Sequence, residues 1–266
     1  MKVVDKFTYL SSTLARTANI DDEICNRIAR ASITFGRLRE NVWERKGLRL
    51  DTKLKVYNAT ILPALLYASE TWTVYSRHAR QLNHFHVGCL RKLLKIRWQD
   101  KIPDTEVLQR AGSTSIFTEL LKSQARWAGH LVRMPDYRLP KRLLFGELAH
   151  GKRKTGGQKK RFKDNLKASL KALEVEPGRF EDIAADRSGW RKAVKCGAQL
   201  AENDRLSRAV KKRVDRKARQ TRNVLPDPTA APHVCNVCNK TFKAHIGLVG
   251  HQRTHSATKR RGHPRK

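Results

Sequence analysis

The chain has 266 residues, with 57 Lys and Arg against 24 Asp and Glu and a formal net charge of +33 at pH 7. This charge favours a polyanionic partner, above all RNA or DNA, and 39% hydrophobic residues are too many for a fully disordered chain. Because no apolar run approaches the roughly 20 residues of a membrane span, we expect no membrane insertion.

Most of the first 150 residues are predicted to form one helical domain, which follows a short strand at residues 7–10. Asn19 is the expected N-cap of the first helix, since apolar residues recur every three or four positions after it. Asp51 is the expected cap of the second helix, and Pro63 should bend that helix.

Three further helices are predicted in the same domain. Apolar residues from Leu82 to Leu93 indicate one of them, Pro103 opens a short one, and the last runs from Ile116 until Pro135 stops it. The tryptophans in apolar-periodic segments, which we expect in the core rather than stacked on bases, are Trp43, Trp72 and Trp127.

The composition changes at residue 151, where a basic region predicted to extend to residue 222 begins. A loop dense in Lys and Arg comes first, then a helix, and then a long helix from about Ser188 to Arg222. Such clusters of cations favour contact with phosphates. The expected nucleic-acid contacts in this region are Lys152, Arg153, Lys154, Lys159, Lys160, Arg161, Lys211, Lys212, Arg213, Arg216 and Lys217.

The C-terminal part carries the most specific motif of the chain. Two residues separate Cys235 from Cys238, three separate His251 from His255, and twelve lie between the two pairs. This is the ligand spacing of a two-cysteine, two-histidine zinc finger. We therefore predict a small ββα finger at residues 233–256 that holds one structural Zn²⁺ ion.

The finger is not expected to read a base sequence. Helix positions −1, 3 and 6 make the base contacts in fingers of this type. Here they are Ala244, Gly247 and Gly250, none of which can hydrogen-bond a base edge. The finger residues expected to contact phosphates instead are Lys240, Lys243 and Arg253.

Several segments follow one another in a family-specific order. They are Phe7–Leu10, Lys53–Tyr57, Leu62–Tyr67, Glu70–Trp72, Arg126–Met134 and Gly156–Asp164. This order resembles the C-terminal region of reverse transcriptases from non-LTR (LINE-type) retrotransposons, some of which end in a zinc finger, although Ser11 replaces the usual glycine after the first segment. The resemblance implies a thumb-like helical domain that follows the catalytic palm.

Catalytic residues of that family are not expected here. A reverse transcriptase needs paired aspartates on a β-hairpin turn, where they hold two Mg²⁺ ions. Asp21 and Asp22 are adjacent, but they precede apolar residues with helical periodicity, which favours a helix start. We therefore expect no polymerase activity from this chain by itself.

Two other candidate sites are disfavoured. A second metal site would use His84, His86 and Cys89, but the two histidines face different sides of the predicted helix. A restriction-like nuclease site would use Asp104 with Glu119, but the elements that carry such nucleases have a finger with a different ligand set. Core or surface roles are the expected ones for these residues.

Together these observations predict a mainly α fold. Its parts are a helical thumb-like domain at 1–150, a basic loop and long basic helix at 151–222, a Pro-rich linker at 223–232, the ββα zinc finger at 233–256 and a basic tail at 257–266. We expect a non-catalytic nuclear protein that binds RNA or DNA largely through phosphates. Two alternatives stay open: the C-terminal fragment of a longer RNA-directed DNA polymerase, and a zinc-finger regulator or protein-interaction module.

Overall fold

The computed structural model describes residues 6–15, 20–146, 160–224, 233–242 and 245–258. A β-hairpin opens it, in which β1 (Lys6–Tyr9) pairs antiparallel with β2 (Ser12–Ala15). Leu10 and Ser11 form the turn with φ of 45° and 67°, left-handed values that tight hairpins require and that glycine adopts most readily. The strand predicted at residues 7–10 is confirmed within one residue, whereas β2 has no counterpart in the prediction.

A buried ion pair holds this hairpin against the first helix, α1 (Asp21–Arg37). The Glu23 carboxylate accepts hydrogen bonds from Arg27 Nε and from the Thr13 backbone N–H, both at 2.6 Å. Arg27 also donates to the Ser11 carbonyl. Because the two charged side chains are 3% and 5% exposed, removal of either one would leave an uncompensated buried charge.

Nine helices of the described chain up to residue 224 form the rest of this part of the molecule. A π-helical turn at Arg39–Trp43 follows α1, and short 3₁₀ turns lie at Ser69–Thr71 and Trp98–Asp100. The remaining eight are α2 (Leu50–Leu66), α3 (Ser76–Leu93), α4 (Asp104–Arg110), α5 (Ile116–Val132), α6 (Leu139–Phe145), α7 (Phe162–Ala172), α8 (Phe180–Ala185) and α9 (Arg187–Val224). The mainly α fold is thereby confirmed.

Two predicted helix caps need correction. Ile20 occupies the N-cap position of α1 without a side-chain hydrogen bond, and Asn19, the predicted cap, lies outside the described residues. The second helix begins at Leu50 with Arg49 as its N-cap, so the prediction of Asp51 as the cap is wrong. Asp51 instead lies in the first turn, where its charge still complements the positive end of the helix.

The first apolar cluster joins α1 to α4 and the beginning of α5. Its fully buried members include Ile24, Tyr57, Ile61, Leu82 and Ile116. Trp43 and Trp72 are buried as predicted, and the Trp43 indole N–H donates to the Phe35 carbonyl at 2.8 Å. The predicted helical periodicities thus identify the side chains that fill this core.

The second apolar cluster joins α5 to α6, α7, α8 and α9, on both sides of residue 150. Trp190 of α9 is 1% exposed, and its indole N–H donates to the Ala125 carbonyl of α5 at 3.0 Å. Residues up to Arg208 form one compact unit and those from Ala209 a second. The boundary predicted at residue 150 therefore marks a change in composition, whereas the second apolar cluster contains side chains from both sides of it.

The long helix α9 begins in the second cluster and continues well beyond it. Glu202, buried near its middle, accepts hydrogen bonds from the Ser115 and Thr118 hydroxyls at 2.6 Å each. From residue 210 to residue 220 every residue is exposed. The helix ends at Val224, so the first two residues of the predicted linker are helical and the rest lie outside the described residues. No helix in the described ranges has the length and apolarity needed to span a membrane.

Candidate metal centre and basic surfaces

A small ββα unit follows in the C-terminal part of the chain. Strand β3 (His233–Val234) pairs antiparallel with β4 (Thr241–Phe242), and helix α10 (His245–Thr258) follows them. The described residues thus have the predicted finger topology. This arrangement places two cysteines in the turn between the strands and two histidines on one side of the helix.

The turn that carries the cysteines is closed by backbone hydrogen bonds. The Cys235 N–H donates to the Lys240 carbonyl at 3.0 Å, and the Asn239 N–H donates to the Cys235 carbonyl at 2.8 Å. Asn239 has a φ of 55°, which asparagine tolerates better than most residues. The backbone N–H of Val237 lowers the pKa of the Cys235 thiol, with a further contribution from Cys238, so the turn favours the thiolate that binds metals.

The four predicted ligand residues converge on one point. Their ligand atoms all lie within 4.8 Å of one another, and no other such cluster of His, Cys, Asp and Glu occurs in the described ranges. Cys238 Sγ lies 3.0 Å from His251 Nε2, Cys235 Sγ lies 3.5 Å from His255 Nε2, and the two Nε2 atoms are 3.0 Å apart. Two sulfurs and two imidazole nitrogens therefore surround one small volume.

This donor set fits a tetrahedral metal ion. Zn–S bonds of about 2.3 Å and Zn–N bonds of about 2.0 Å would place neighbouring ligand atoms roughly 3.3–3.8 Å apart. The three separations above are 3.0–3.5 Å, close to this range, and no two ligand atoms are more than 4.8 Å apart. The ligands are the borderline-soft ones that zinc accepts, and four protein ligands leave no position for a catalytic water. The cluster can hold a metal ion and is compatible with Zn²⁺ in a structural role.

The apolar core of the finger is very small. Leu248 is 9% exposed, and the Phe242 ring lies 4.9 Å from the His251 ring, centroid to centroid. Partial burial lowers the pKa of His251, and the neighbouring His255 and Lys240 lower it further, which favours the neutral imidazole that binds a metal. So few buried groups cannot stabilise a unit of this size without additional help.

The face of α10 expected to meet bases carries no hydrogen-bonding side chain at its two described reading positions. Gly247 packs near the Phe242 ring, and Gly250 faces open space. The third position, Ala244, lies outside the described residues. Ile246, which precedes Gly247, is 83% exposed. Nothing at Gly247 or Gly250 can therefore discriminate one base edge from another.

The predicted phosphate contacts in the basic region are exposed wherever they are described. Lys160 and Arg161 lie at the start of α7, and the Lys160 ammonium group stands 5.5 Å from the centroid of the Tyr75 ring. Lys240 and Arg253 are exposed on the finger. Exposed cations within two turns of α9 are Lys211, Lys212, Arg213, Arg216 and Lys217. The predicted contacts that lie outside the described residues are Lys152, Arg153, Lys154, Lys159 and Lys243.

The disfavoured second metal site has an ordinary structural explanation. His86 is buried with its Nδ1 2.8 Å from the Tyr57 hydroxyl, and Cys89 is buried in the first apolar cluster. Burial lowers the pKa of His86 to about 4 and raises the pKa of Cys89 to about 12. Both groups are thus neutral side chains of the core at physiological pH.

The carboxylates of the disfavoured nuclease site are held in separate ion pairs. Asp104 Oδ1 lies 2.8 Å from an Arg91 guanidinium nitrogen, and Glu119 Oε1 lies 2.5 Å from Lys122 Nζ. Each carboxylate is therefore neutralised by a neighbour. Nothing in their arrangement indicates a shared metal ion.

A basic cavity that the sequence did not indicate lies between α5 and α9. Its volume is about 660 Å³, and the Trp190 side chain lines it together with His130. The other residues that line it are all cations: Arg126, Arg133, Arg187, Arg191 and Lys195. The sequence does contain a trace of this cavity, because basic residues recur every three or four positions on both helices. The two helices lie more than fifty residues apart in the chain, so the sequence alone does not show that the two sets of residues meet.

Comparison with known proteins gives one informative similarity. The chain is 23% identical over 199 residues to an uncharacterized transposon-derived protein of Caenorhabditis elegans, a match that covers 70% of this chain and 69% of that protein. No family model and no solved structure matches the chain. The similarity agrees with the transposon resemblance of the sequence segments.

Proposed function

We propose that this chain is a retrotransposon-derived zinc-finger protein that binds RNA or DNA through their phosphates and catalyses no reaction by itself. The similarity to a transposon-derived protein over 70% of the chain supports the origin. The ordered resemblance to the post-palm region of LINE-type reverse transcriptases supports the narrower assignment. The Cys/His cluster supports Zn²⁺ as the bound ion.

The observation that carries phosphate binding is the distal part of α9. Residues 210–220 are all exposed. The segment from Lys211 to Arg219 contains six basic residues and one acidic residue, Asp215. A solvated helix with this excess of charge gains free energy when a polyanion releases its condensed counterions. Phosphate contacts of this kind position a protein on nucleic acid without reading its sequence.

The finger contributes attachment rather than sequence recognition in this proposal. Two described reading positions on α10 are glycines, whereas Lys240 and Arg253 are exposed and basic. Nucleic acid in the nucleus is the partner that suits such a surface, and basic segments of this kind also suit nuclear import. Sequence-specific regulation is correspondingly disfavoured.

A titration of labelled RNA and DNA of several sequences, repeated from 50 to 200 mM salt, tests the proposal. If at least six phosphates are contacted, the affinity should fall by about a thousandfold or more over this range, with little dependence on sequence. A shallow salt dependence together with strong preference for one sequence would contradict it. An assay for primer extension with Mg²⁺ should detect no product.

A second candidate is the C-terminal fragment of a longer RNA-directed DNA polymerase. The resemblance of Lys53–Tyr57 and Arg126–Met134 to segments that follow a catalytic palm favours this candidate. The transcript upstream of the Met1 codon decides between the two candidates. An in-frame palm with paired aspartates would make the chain part of an enzyme.

A further inference from the structure

The basic cavity between α5 and α9 has two walls with regularly spaced cations. On α5 and its C-cap the basic side chains are Arg126, His130 and Arg133, at intervals of four and three. On α9 they are Arg187, Arg191 and Lys195, at intervals of four. Residues three or four apart lie on one helix face, with their Cβ atoms about 5–6 Å apart. Each wall is therefore a row of charges that follows its helix.

The five permanent cations of this cavity have no carboxylate partner among the described residues. None of them belongs to an ion pair of the described chain, and no Asp or Glu lines the cavity. Asp186 precedes Arg187, but its carboxylate accepts hydrogen bonds from the backbone N–H groups of Ser188 and Gly189 instead. The cavity therefore concentrates positive charge that an external anion can neutralise.

A neighbouring cavity that shares two lining residues of α5 shows the contrast. Arg126 and His130 also line that second cavity, but Glu70 and Glu119 do so as well, and Glu119 is paired with Lys122. The two cavities thus share an edge of α5 and differ in charge balance. Only the one against α9 has the character of an anion site.

The walls of the basic cavity are held in place by a close helix contact. A Cβ atom on Gly129 would lie 2.1 Å from Trp190 Nε1, so glycine is required for the indole to reach the α5 backbone. The same Nε1 donates to the Ala125 carbonyl at 3.0 Å. Arg133 is fixed as well, since its guanidinium group donates to the Ala184 carbonyl. The site is therefore formed before any ligand arrives.

From this geometry we infer that the cavity binds one phosphodiester strand of a nucleic acid. The inference rests on the proposed function and assigns it a site that the sequence did not indicate. A cavity of about 660 Å³ can admit a short stretch of one backbone but not a whole duplex. Guanidinium groups suit phosphate oxygens because they donate two parallel hydrogen bonds. The bound strand is either a single-stranded segment or one of the two backbones of a duplex that lies across the cavity.

Two matched double variants test the site. Arg191→Gln with Lys195→Gln removes two exposed cations four residues apart on α9, whereas Lys167→Gln with Lys171→Gln removes an equivalent exposed pair on α7, outside the cavity. Glutamine retains helix propensity, so both proteins should fold, which circular dichroism checks. The probe is a fluorescent 20-nucleotide thymidylate DNA, titrated with the full chain between 50 and 200 mM salt.

For two lost contacts to a single strand, the α9 variant should bind about 25-fold more weakly at 100 mM salt, with a salt slope smaller by about 1.4. The α7 variant should match the wild type. Repeating the titration with a duplex distinguishes the two sources of the strand. If the α9 variant loses affinity for the single strand only, the ligand is a single-stranded segment. If it loses affinity for both probes to the same extent, the ligand is one backbone of a duplex. An α9 variant that binds like the wild type, or an equal loss in both variants, would overturn the inference.

A measurement on the wild-type chain needs no variant. Acetylation by an amine-reactive reagent, followed by mass spectrometry, should slow at Lys195 when the thymidylate DNA is bound and stay unchanged at Lys167. Equal rates at Lys195 with and without DNA would overturn the cavity assignment. If the wild type binds nucleic acid in that case, the proposed function survives without this site, whereas a wild type that binds none refutes both.

Discussion

The helical unit up to Arg208 encloses side chains as large as Trp190 and Tyr57, whereas the described part of the finger buries only Cys235 and Leu248 among its apolar residues. In the first region apolar burial supplies the free energy of folding, at about 25 cal/mol for each Å² removed from water. In the second, ligand groups converge where a metal ion can supply it. The two regions should therefore respond to different perturbations.

Tryptophan provides a convenient way to observe one region alone. All five tryptophans lie between residues 43 and 190, and none lies in the finger. Tryptophan fluorescence therefore reports unfolding of the helical unit, and metal content reports the finger. Together the two signals distinguish a perturbation of the helical unit from a perturbation of the finger.

The largest expected effect is loss of the finger on metal removal. A chelator, or Cys238→Ala, should abolish binding of one Zn²⁺ per chain, since apparent zinc-binding free energies of such units are about 10–16 kcal/mol at neutral pH. Metal analysis and the NMR spectrum of α10 measure this loss. The urea midpoint of tryptophan fluorescence should not change. A shift of that midpoint would show that the two regions are energetically coupled.

Next in size is the replacement of Trp190 by alanine. The indole is 1% exposed and hydrogen-bonded to Ala125, so the helical unit should lose about 3–5 kcal/mol of unfolding free energy. Urea unfolding followed by the remaining tryptophans gives this value. Trp98→Ala is the control because Trp98 is 83% exposed, and it should change stability by less than about 0.5 kcal/mol. Zinc content should be normal in both variants.

A pH dependence of intermediate size should arise from His86. Its pKa is about 4 in the folded chain because of burial, below the 6.5 of an exposed histidine, so protonation favours unfolding. The helical unit should keep its full stability above pH 6.5 and lose roughly 3 kcal/mol as the pH falls to 4. Urea titrations at several pH values measure the loss. His86→Gln should remove this component, whereas substitution of the exposed His84 should retain it.

The smallest expected effects come from two glycines on helices. Gly129→Ala should destabilise the helical unit by about 1–3 kcal/mol, because the new methyl group would overlap the Trp190 indole. Gly88→Ala should stabilise it by up to about 1 kcal/mol, since a Cβ atom there meets nothing within 4 Å and alanine favours the helix. Denaturant unfolding of both variants checks the opposite signs. Equal effects would contradict the close contact between α5 and α9.

The helices and zinc ligands were predictable because their causes are local. Periodic apolar residues gave α5 nearly to both ends and gave the C-terminal end of α3, whose start at Ser76 they missed by six residues. The spacing of Cys235 to His255 identified a cluster that the fold brings together. Chelate geometry restricts that spacing within a short segment, so the sequence carries it directly. The caps at Asn19 and Asp51 were less predictable, since the helix start depends on how the preceding chain packs.

The domain boundary and the basic cavity depend on contacts between distant segments. A shift in composition at residue 151 suggested a new domain, yet α7 to α9 pack on α5 in one cluster. Arg126 and Arg191 resemble ordinary solvent-facing cations in their own helices. Packing between the two helices, including the close contact of Gly129 with Trp190, brings their two rows together. Such pairings are set by tertiary packing, which single-sequence patterns do not encode.

The distal half of α9 has a further consequence for solution conditions. From residue 210 to residue 220 every residue is exposed, so burial contributes little to holding this segment in a helix. Repulsion among its cations opposes the helix, and added salt weakens that repulsion as it shortens the Debye length, which is about 10 Å at 0.1 M. Ionic strength therefore orders this segment and at the same time weakens its attraction for polyanions. Helicity and affinity should change in opposite directions along one salt series.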